Sequence, residues 1–289
     1  MSIDTRIDFY LGELCKYKNE KNSVNINNYS NIKTINDLDE TKKVRDYLLK
    51  QLLIKTNNTD KKFKFNRADI QHILDIITLC KNRANNTNDG VILRCLNFKR
   101  HWGNYYTRPP DIDFDIKINK VFWRGTTTGN IQRKGNRFDL ISRWFNINPN
   151  IDVGFSKICQ DKDDYSKYVK GKCDIPFFLK YKYILSIEGN DKDSGLNWKL
   201  NSNSLVMMPR PRAASWLMET TLIPNHHYIL LKDDFSNLKK KLNWCNKNPD
   251  TCKEIIKNAN NYMKQFSDNT RDEQIEETVI NTYFDIIKQ

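Results

Sequence analysis

The sequence predicts an α/β fold, and three observations carry this prediction. From about residue 118 onwards, short apolar runs that read as strands alternate with segments whose apolar residues recur at helical spacing. Polar residues gather where several of these runs end, and open α/β sheets bind their ligands at the carboxyl ends of their strands. With 289 residues, of which 38% are hydrophobic, the chain can build one large or two small cores.

The first part of the chain shows fewer regular elements. Residues 16–36 are rich in Asn, Lys and Ser and predict an irregular segment. Residues 40–55 predict a helix. The residues that recur at helical spacing in it are Val44, Tyr47, Leu48, Gln51 and Leu52. Asn66 is a suitable N-cap for a second helix. Its apolar face consists of Ile70, Ile73, Leu74, Ile77 and Cys80.

A domain boundary follows these helices. Residues 85–90 predict a turn and residues 91–96 a strand. Pro109-Pro110 and an Asp-rich run up to Asp115 then interrupt the pattern, so we place the boundary near residue 117.

Strands and helices alternate in the second part. Strands are predicted at residues 120–124, 181–187, 205–209 and 228–231. Helices are predicted from the inward faces Phe138, Leu140, Ile141 and Trp144; Leu238, Leu242 and Cys245; Cys252, Ile256, Ala259, Met263 and Phe266; and Ile275, Val279, Tyr283 and Ile286. Asn248-Pro249 is a polar cap followed by proline at the first helical position, which is typical of a helix start.

The composition narrows the classes of protein. The formal net charge of +13 is typical of a soluble chain rich in Lys and Asn, or it indicates an anionic partner: a nucleotide-sugar, a nucleic acid or an acidic membrane surface. The lysines are scattered, which favours the first interpretation. No apolar run approaches the roughly 18 residues of a transmembrane helix, and the N-terminus lacks an apolar signal core. We therefore expect a cytoplasmic protein without a transmembrane segment, which is compatible with peripheral membrane contact.

Cysteine usage agrees with a reducing compartment. The seven cysteines are odd in number and form no Cys-x-x-Cys pair, so they predict neither a disulfide framework nor a zinc site. Most lie in apolar runs, where a free cysteine behaves as a small buried hydrophobe.

The most informative stretch is a strand that runs into a loop bracketed by Gly125 and Gly129. The two glycines allow positive φ and close approach of another backbone. Thr126, Thr128 and backbone N–H groups can donate to anionic oxygens, and Arg124 adds a planar charge suited to phosphate. Strand, glycine loop, cations and helix together predict a diphosphate site.

Further along the chain, a set of ordered motifs resembles a known family. The motifs FWRG-T-TG, NRF-L, KYKYILSIEGND, WK, SNS, SWLME, LIP-HHY and D-S-L, in this order over residues 120–266, resemble glycosyltransferase family 90, the Rumi-like, capsule-associated and lipopolysaccharide-modifying group. The resemblance implies a GT-B arrangement of two Rossmann-like domains whose final helix crosses back onto the first. We therefore expect an acceptor-side domain at residues 1–117, a nucleotide-sugar domain at 118–266 and a crossover helix at 267–289.

The resemblance also implies a reaction. Family members carry out an inverting, usually metal-independent transfer from a UDP-sugar, with glucose and xylose as the usual donors. The expected partners are therefore the UDP-sugar co-substrate and a glycan or glycoprotein acceptor, with no further cofactor, no metal and no nucleic acid.

Individual site residues follow from the matching motifs. Arg124, Arg137 and Lys199 match cationic positions and are expected at the diphosphate, although the arginine that many members carry two residues before this lysine is Asn197 here. Glu219 of Ser-Trp-x-x-Glu is expected to accept the ribose hydroxyls. The full set of expected substrate residues is Arg124, Gly125, Thr126, Thr128, Gly129, Arg137, Glu188, Gly189, Asn190, Trp198, Lys199, Ser204, Trp216, Glu219 and His227.

The catalytic base has no clear match. Many family members carry an Arg-Asp-aromatic-Pro motif whose Asp is the base, and this chain has none. The candidates are His101, whose ordinary pKa suits a general base, and the carboxylates Asp111 and Asp113. We expect His227 to brace the site rather than to contact the reacting atoms.

Two other interpretations remain open on the residues. Asp111, Asp113 and Asp115 alternate as in the Asp-x-Asp metal motif of GT-A enzymes, which would make the transfer metal-dependent. A basic nucleic-acid-binding protein that stacks bases on aromatics would explain the charge but not the ordered motifs.

Overall fold

We describe the fold from a computed structural model, which describes residues 1–41, 43–69, 74–84, 87–160 and 162–289. The chain divides into two compact units. The first consists of Met1–Lys99, Arg212–Glu219 and Gln265–Gln289, and the second of Arg100–Pro211 and Thr220–Lys264. The second unit thus begins before residue 117, and the C-terminal residues belong to the same unit as the N-terminal ones.

The described residues contain the following regular elements. The helices are α1 (Ile3–Leu11), α2 (Val44–Lys55), α3 (Gly103–Tyr106), α4 (Arg137–Trp144), α5 (Ile175–Leu179), α6 (Leu196–Leu200), α7 (Leu238–Lys247), α8 (Pro249–Met263) and α9 (Asn269–Ile286). The strands are β1 (Val24–Asn25), β2 (Ile32–Lys33), β3 (Phe63–Phe65), β4 (Thr78–Cys80), β5 (Asn82–Ala84), β6 (Val91–Ile92), β7 (Ile118–Thr126), β8 (Ile151–Lys157), β9 (Tyr181–Leu185), β10 (Leu205–Met208), β11 (Ala213–Ser215), β12 (Ile229–Leu230) and β13 (Ile287–Lys288).

The first unit is built on a four-stranded sheet in the order β2-β3-β4-β6. Strands β3, β4 and β6 are parallel, and β2 is antiparallel to β3. Two small pairs complete the unit: β5 with β11, antiparallel, and β1 with β13, parallel. Helix α9 packs against α1.

Two predictions in this unit are wrong. The second predicted helix ends in strand β4, whose residues are all buried between β3 and β6; its face residues Ile70 and Ile73 lie outside the described residues. A short apolar run that is buried on both faces cannot be told from a helix by periodicity. The strand predicted at 91–96 is confined to β6, and Cys95–Asn97 is a 3-10 turn.

Helix α2 exists where it is predicted, but it buries a different face. Val44 and Tyr47 are 70% and 47% exposed, whereas Asp46 is fully buried. The carboxylate of Asp46 pairs with the guanidinium of Arg67, which compensates its charge. This partner lies outside the helix, so the periodicity of α2 alone does not reveal it.

The second unit is built on a five-stranded, entirely parallel sheet in the order β12-β10-β9-β7-β8. Helix α4 buries the predicted face of Phe138, Leu140, Ile141 and Trp144 against this sheet. Helices α7 and α8 also bury the residues predicted for them. The result is a mixed α/β fold with parallel sheets, consistent with a Rossmann-like glycosyltransferase fold.

The order of the strands places a topological switch point between β7 and β9. From β7 the chain passes to β8 on one side and then returns to β9 on the other side. Ligands of open α/β sheets bind at the carboxyl ends of the two strands that flank such a point. The loops that follow β7 and β9 are therefore where a ligand site is expected. No helix among the described residues is long and apolar enough to cross a lipid bilayer.

Candidate active site

Two loops meet in close contact at the switch point. The glycine loop, residues 125–129, begins with the last two residues of β7, and the acidic loop, residues 187–191, follows β9. The backbone N–H of Gly129 donates to Asn190 Oδ1 over 2.9 Å. Gly129 has φ +112°, and a Cβ there would lie 3.0 Å from the carbonyl oxygen of Gly189. Both the backbone conformation and the close approach require glycine.

Arg137 connects the two loops. Its Nη1 donates to Thr128 Oγ1 over 2.7 Å and to the carbonyl oxygen of Thr126 over 3.0 Å. Its Nε and Nη2 donate to the carbonyl oxygen of Ile187 over 3.3 and 3.2 Å. One guanidinium thus fixes the ends of two neighbouring strands.

The charge of Arg137 is not neutralised by a direct partner. All its hydrogen-bond acceptors are neutral, and no carboxylate of the described residues lies within ion-pair distance. Burial lowers the pKa of Arg137, the charge of Arg100 lowers it further, and Asp193 and Asp191 act in the opposite direction. A desolvated guanidinium without an ion-pair partner favours an anionic ligand.

The local sequence explains why Arg137 lies at this point. It is the first residue of α4, whose N-cap Asn136 accepts from the backbone N–H groups of Phe138 and Asp139. Asp139 completes the capping box through the backbone N–H of Asn136. The buried face of α4 then anchors the helix, so the guanidinium starts from a rigid backbone.

Lys199 lies at the same edge of the sheet. Its ammonium donates to the carbonyl oxygen of Leu185, the last residue of β9, over 3.1 Å and forms an ion pair with Asp193. Asp193 also accepts from Ser186 Oγ over 2.8 Å. Burial acts to raise the pKa of Asp193, but the Lys199 ammonium, the backbone N–H of Gly195 and Arg137 hold it below its ordinary value. Lys199 therefore lies near the switch point, and its ammonium forms an ion pair with Asp193.

Other polar groups complete the edge. Arg133 forms an ion pair with Glu188 over 3.0 Å. Gln160, which follows β8, donates to Asn190 Oδ1 over 3.2 Å. Arg100 was not among the predicted site residues, although its charge reaches Arg137; it is an exposed cation whose sequence neighbours carry no motif that would identify it.

Arg124, by contrast, pairs with a carboxylate on the neighbouring strand. Its Nη2 donates to both carboxylate oxygens of Asp152 on β8, over 2.9 and 3.0 Å, and its guanidinium lies 4.5 Å from the centre of the Phe122 ring. Side chains alternate along a strand, so Arg124 and Phe122 share one face of β7, while Arg137 lies over Trp123 on the other. Arg124 therefore lies on the face of the sheet opposite Arg137 and is bound to Asp152.

Three more predicted residues lie away from the switch point. Trp198 is buried in a cluster with Phe122 and Phe178. Ser204 precedes β10 and donates to the carbonyl oxygen of Tyr181, the first residue of β9. His227 precedes β12. Since the sheet is parallel, residues that precede a strand lie at its amino edge, opposite the glycine loop.

His227 has a structural position at that edge. Its Nδ1 accepts from the backbone N–H of Ile223 over 2.9 Å. Burial, followed by the neighbouring His226, lowers the pKa of His227 to about 4. A neutral ring that accepts a backbone hydrogen bond holds the turn before β12.

The Asp-rich run also lies at the amino edge. Asp111 is buried, pairs with Lys117 and accepts from the backbone N–H of Asn203 over 2.7 Å. Asp115 pairs with Lys253 over 3.3 Å, and Asp113 lines an open cavity of about 680 Å³ beside α8. Among the described residues, no cluster of three His, Cys, Asp or Glu side chains could hold a metal ion. Asp111 and Asp113 therefore lie at the edge of the sheet opposite the glycine loop, and Asp111 is engaged by Lys117.

The remaining predicted residues, His101, Trp216 and Glu219, lie outside the two loops at the switch point. His101 is buried in the π-helical segment Phe98–Trp102. Trp216 belongs to the first unit, where its ring stacks on Tyr10 at 3.7 Å and its Nε1 donates to Asp272; this contact makes it part of that core. Glu219 of the same unit accepts from the backbone N–H and Oγ of Ser215 over 2.6 and 2.8 Å.

Comparison with known proteins decides the family. The model of the family "Glycosyl transferase family 90" matches residues 107–286, which is more than half of the chain. The chain belongs to glycosyltransferase family 90. The family prediction made from the motifs is thus confirmed, and membership supports the predicted class of enzyme, a glycosyltransferase.

Two relatives illustrate the similarity. The chain is 32% identical to the O-glucosyltransferase LpsA of Dichelobacter nodosus over 210 residues, which are 72% of this chain and 62% of LpsA. It is 28% identical to Protein O-glucosyltransferase 2 of Danio rerio over 147 residues, which are 49% of this chain and 28% of that protein. The chain therefore spans less than two thirds of the length of these relatives.

Proposed function

We propose that this protein transfers a sugar from a UDP-sugar to a hydroxyl group of a glycan or protein, with inversion at the anomeric carbon and without a metal ion. Family membership supports the reaction class. The names of the two relatives, both O-glucosyltransferases, favour UDP-glucose over UDP-xylose as the donor. The observation that carries the proposal is the unneutralised guanidinium of Arg137 at the switch point of the parallel sheet.

The proposed chemistry assigns the diphosphate to this edge. As the bond between the anomeric carbon and the UDP oxygen breaks, negative charge develops on the leaving diphosphate. The guanidinium of Arg137 and the hydroxyls of Thr126 and Thr128 can donate to those oxygens. Lys199 contributes a second positive charge, which Asp193 keeps in place. Such fixed donors stabilise the transition state without reorganising during the reaction.

We further propose that His101 accepts the proton of the acceptor hydroxyl. In a single displacement, the acceptor oxygen attacks the anomeric carbon, its proton passes to a base, and the electron pair of the breaking bond leaves with UDP. Asp111 lies at the opposite edge of the sheet and is paired with Lys117. Glu188 and Asp191 of the acidic loop are the next candidates.

The finer architecture belongs to the same proposal. We infer a GT-B arrangement in a cytoplasmic enzyme, with the first compact unit on the acceptor side, the second on the donor side and residues 267–289 as a crossover helix. The parallel sheet with its ligand edge at a switch point is what such a donor domain requires.

A donor screen tests the proposal. Thermal unfolding is measured with UDP, UDP-glucose, UDP-xylose and ADP-glucose, each with and without EDTA, and transfer or hydrolysis products are analysed by NMR for anomeric configuration. Saturation with a ligand at about a hundred times its dissociation constant adds roughly 2.7 kcal/mol to the free energy of unfolding. We expect stabilisation by UDP and UDP-glucose that persists in EDTA. Absence of any shift with millimolar uridine nucleotides would contradict the proposal, and activity that EDTA abolishes and manganese restores would support a GT-A mechanism.

A further inference from the structure

Helix α7 presents an unusual surface on the second unit. Over Leu238–Lys247 it carries four lysines and no acidic residue. Its apolar residues Leu238, Leu242 and Cys245 are buried, so the lysines are confined to the other side of the helix. We call this side the α7 surface; it consists of Lys239, Lys240, Lys241, Asn243, Trp244, Asn246 and Lys247.

The positive charge of the α7 surface is not compensated. Within the described part of the chain, none of its four lysines lies within ion-pair distance of a carboxylate. The next helix differs in this respect, because Lys253 of α8 pairs with both Asp250 and Asp115, over 3.0 and 3.3 Å. Lysines without an internal partner leave a positive potential that attracts an anionic surface.

An aromatic side chain lies at the centre of this charge. Trp244 is 40% exposed. The other five tryptophans of the chain, all among the described residues, are at most 8% exposed: Trp102, Trp123, Trp144, Trp198 and Trp216. A single exposed indole is ordinary on a protein surface, so its meaning here comes from the lysines that surround it.

The spacing brings indole and ammonium groups together. Lys240, Trp244 and Lys247 are separated by four and three residues, and Lys241 precedes Trp244 by three, so all four share one side of the helix. Tryptophan prefers the level of the lipid headgroups, and lysines around it attract anionic lipids. This combination fits an anionic bilayer better than a nucleic acid, since only one aromatic is exposed on the helix and base stacking uses several.

We propose that the α7 surface docks the protein on an anionic membrane, with Trp244 entering the headgroup region and Lys240, Lys241 and Lys247 contacting lipid phosphates. The contact is peripheral, because the apolar side of α7 remains in the core of the unit. It goes beyond sugar transfer and does not depend on the donor site. It would place the enzyme where lipid-borne acceptors are found.

Vesicle binding tests this inference. Co-sedimentation is measured with vesicles of phosphatidylcholine alone and with vesicles of equal parts phosphatidylcholine and phosphatidylglycerol, over a range of salt. The triple variant Lys240→Glu/Lys241→Glu/Lys247→Glu is compared with a control of the same charge change, Lys167→Glu/Lys172→Glu/Lys180→Glu, at exposed lysines elsewhere on this unit. We expect binding to the anionic vesicles only, weakened by salt.

We expect each variant to change the partition coefficient on anionic vesicles by a different amount. The α7 triple variant should lower the partition coefficient roughly a hundredfold, since each lysine near an anionic surface contributes to binding. Trp244→Ala should lower it roughly tenfold, because a half-exposed indole loses its burial. The partition coefficient of the control should stay at least roughly tenfold above that of the α7 triple variant. The UDP-induced thermal shift should stay unchanged in every variant, which separates this inference from the proposed function.

Three results would overturn the inference. The first is equal binding to neutral and anionic vesicles. The second is an equal loss in the control, which would reduce the effect to net charge. The third is tighter binding of a single-stranded oligonucleotide than of anionic vesicles at the same salt concentration, which would assign the α7 surface to nucleic acid.

Discussion

Replacing Arg137 with lysine tests the assignment of the donor site most directly. The substitution keeps the positive charge but removes the planar fork that reaches both loops. In the native protein this fork spans Thr128 Oγ1 at 2.7 Å and the carbonyl oxygen of Ile187 at 3.2 Å. A single ammonium cannot donate to Thr128, to the carbonyl oxygen of Ile187 and to a phosphate at the same time.

The size of the effect follows from these contacts. Removing one preorganised donor to a developing negative charge costs about 2–4 kcal/mol of transition-state stabilisation. We therefore expect kcat/KM of Arg137→Lys to fall about a hundredfold and its affinity for UDP to fall as well. The carbonyl oxygen of Ile187 also loses its donors, which costs a further ~1–3 kcal/mol in the free energy of unfolding.

The chain offers a matched control for this experiment. Arg124→Lys makes the same substitution thirteen positions earlier, at a guanidinium whose side chain is 7% exposed and pairs with Asp152. It should destabilise the protein by about 1 kcal/mol and leave kcat/KM within about threefold of the native value. Urea unfolding, calorimetric titration with UDP and turnover of UDP-glucose are measured on both variants. Normal turnover in Arg137→Lys, or an equal loss in Arg124→Lys at conditions where both are folded, would refute the assignment.

Four further predictions concern individual side chains. Asp193→Asn leaves the Lys199 ammonium buried without its partner and should lower the free energy of unfolding by about 3 kcal/mol, while the double variant with Lys199→Met should recover part of that loss in urea titrations; no recovery would mean that the pair does not act as a unit. His227 has a pKa lowered from 6.5 to about 4, so the unfolded chain binds the extra proton and stability falls as pH drops through this window. The fall is at most about 3 kcal/mol, and His227→Gln should show a smaller decrease between neutral and acidic pH; an unchanged decrease would exclude this histidine as its source. Asp111→Asn should destabilise by about 3 kcal/mol without changing UDP affinity, and a selective loss of turnover would return it to the list of bases. His101→Asn should lower turnover at least about a hundredfold with UDP affinity kept, because a base acts on the acceptor; normal turnover would direct the search to the acidic loop.

The helices that were predicted best are those whose apolar residues repeat over two or more turns against a single sheet. In α4, the period alone identifies the buried face from Phe138 to Trp144. In α2 the same argument fails, because burial of Asp46 depends on Arg67, a residue outside the helix. Strand β8 was not among the predicted strands, although Ile151, Val153 and Phe155 alternate along it as expected for a strand.

The predicted site residues fall into two groups, one at the carboxyl edge of the parallel sheet and one at its amino edge. The glycine loop, the acidic loop, Arg137 and Lys199 follow or contact the carboxyl ends of β7 and β9. Ser204 and His227 are expected at the site because they lie in the matching motifs SNS and LIP-HHY, but both precede their strands. In a sheet whose strands are all parallel, that difference of a few residues moves a side chain across the whole length of a strand.

The contrast between Arg124 and Arg137 shows that the sequence alone does not reveal which face of the sheet carries the ligand site. Phe122 and Trp123 are both fully or almost fully buried, so alternation along β7 does not reveal which face of the sheet carries the ligand site. The decision comes from Asp152 on the neighbouring strand, a contact that is set by the register of β7 against β8. Once Asp152 holds Arg124, the guanidinium that remains without an ion-pair partner at the switch point is Arg137. A phosphate-binding role can therefore be assigned between two motif arginines only after the ion pairs of each have been accounted for.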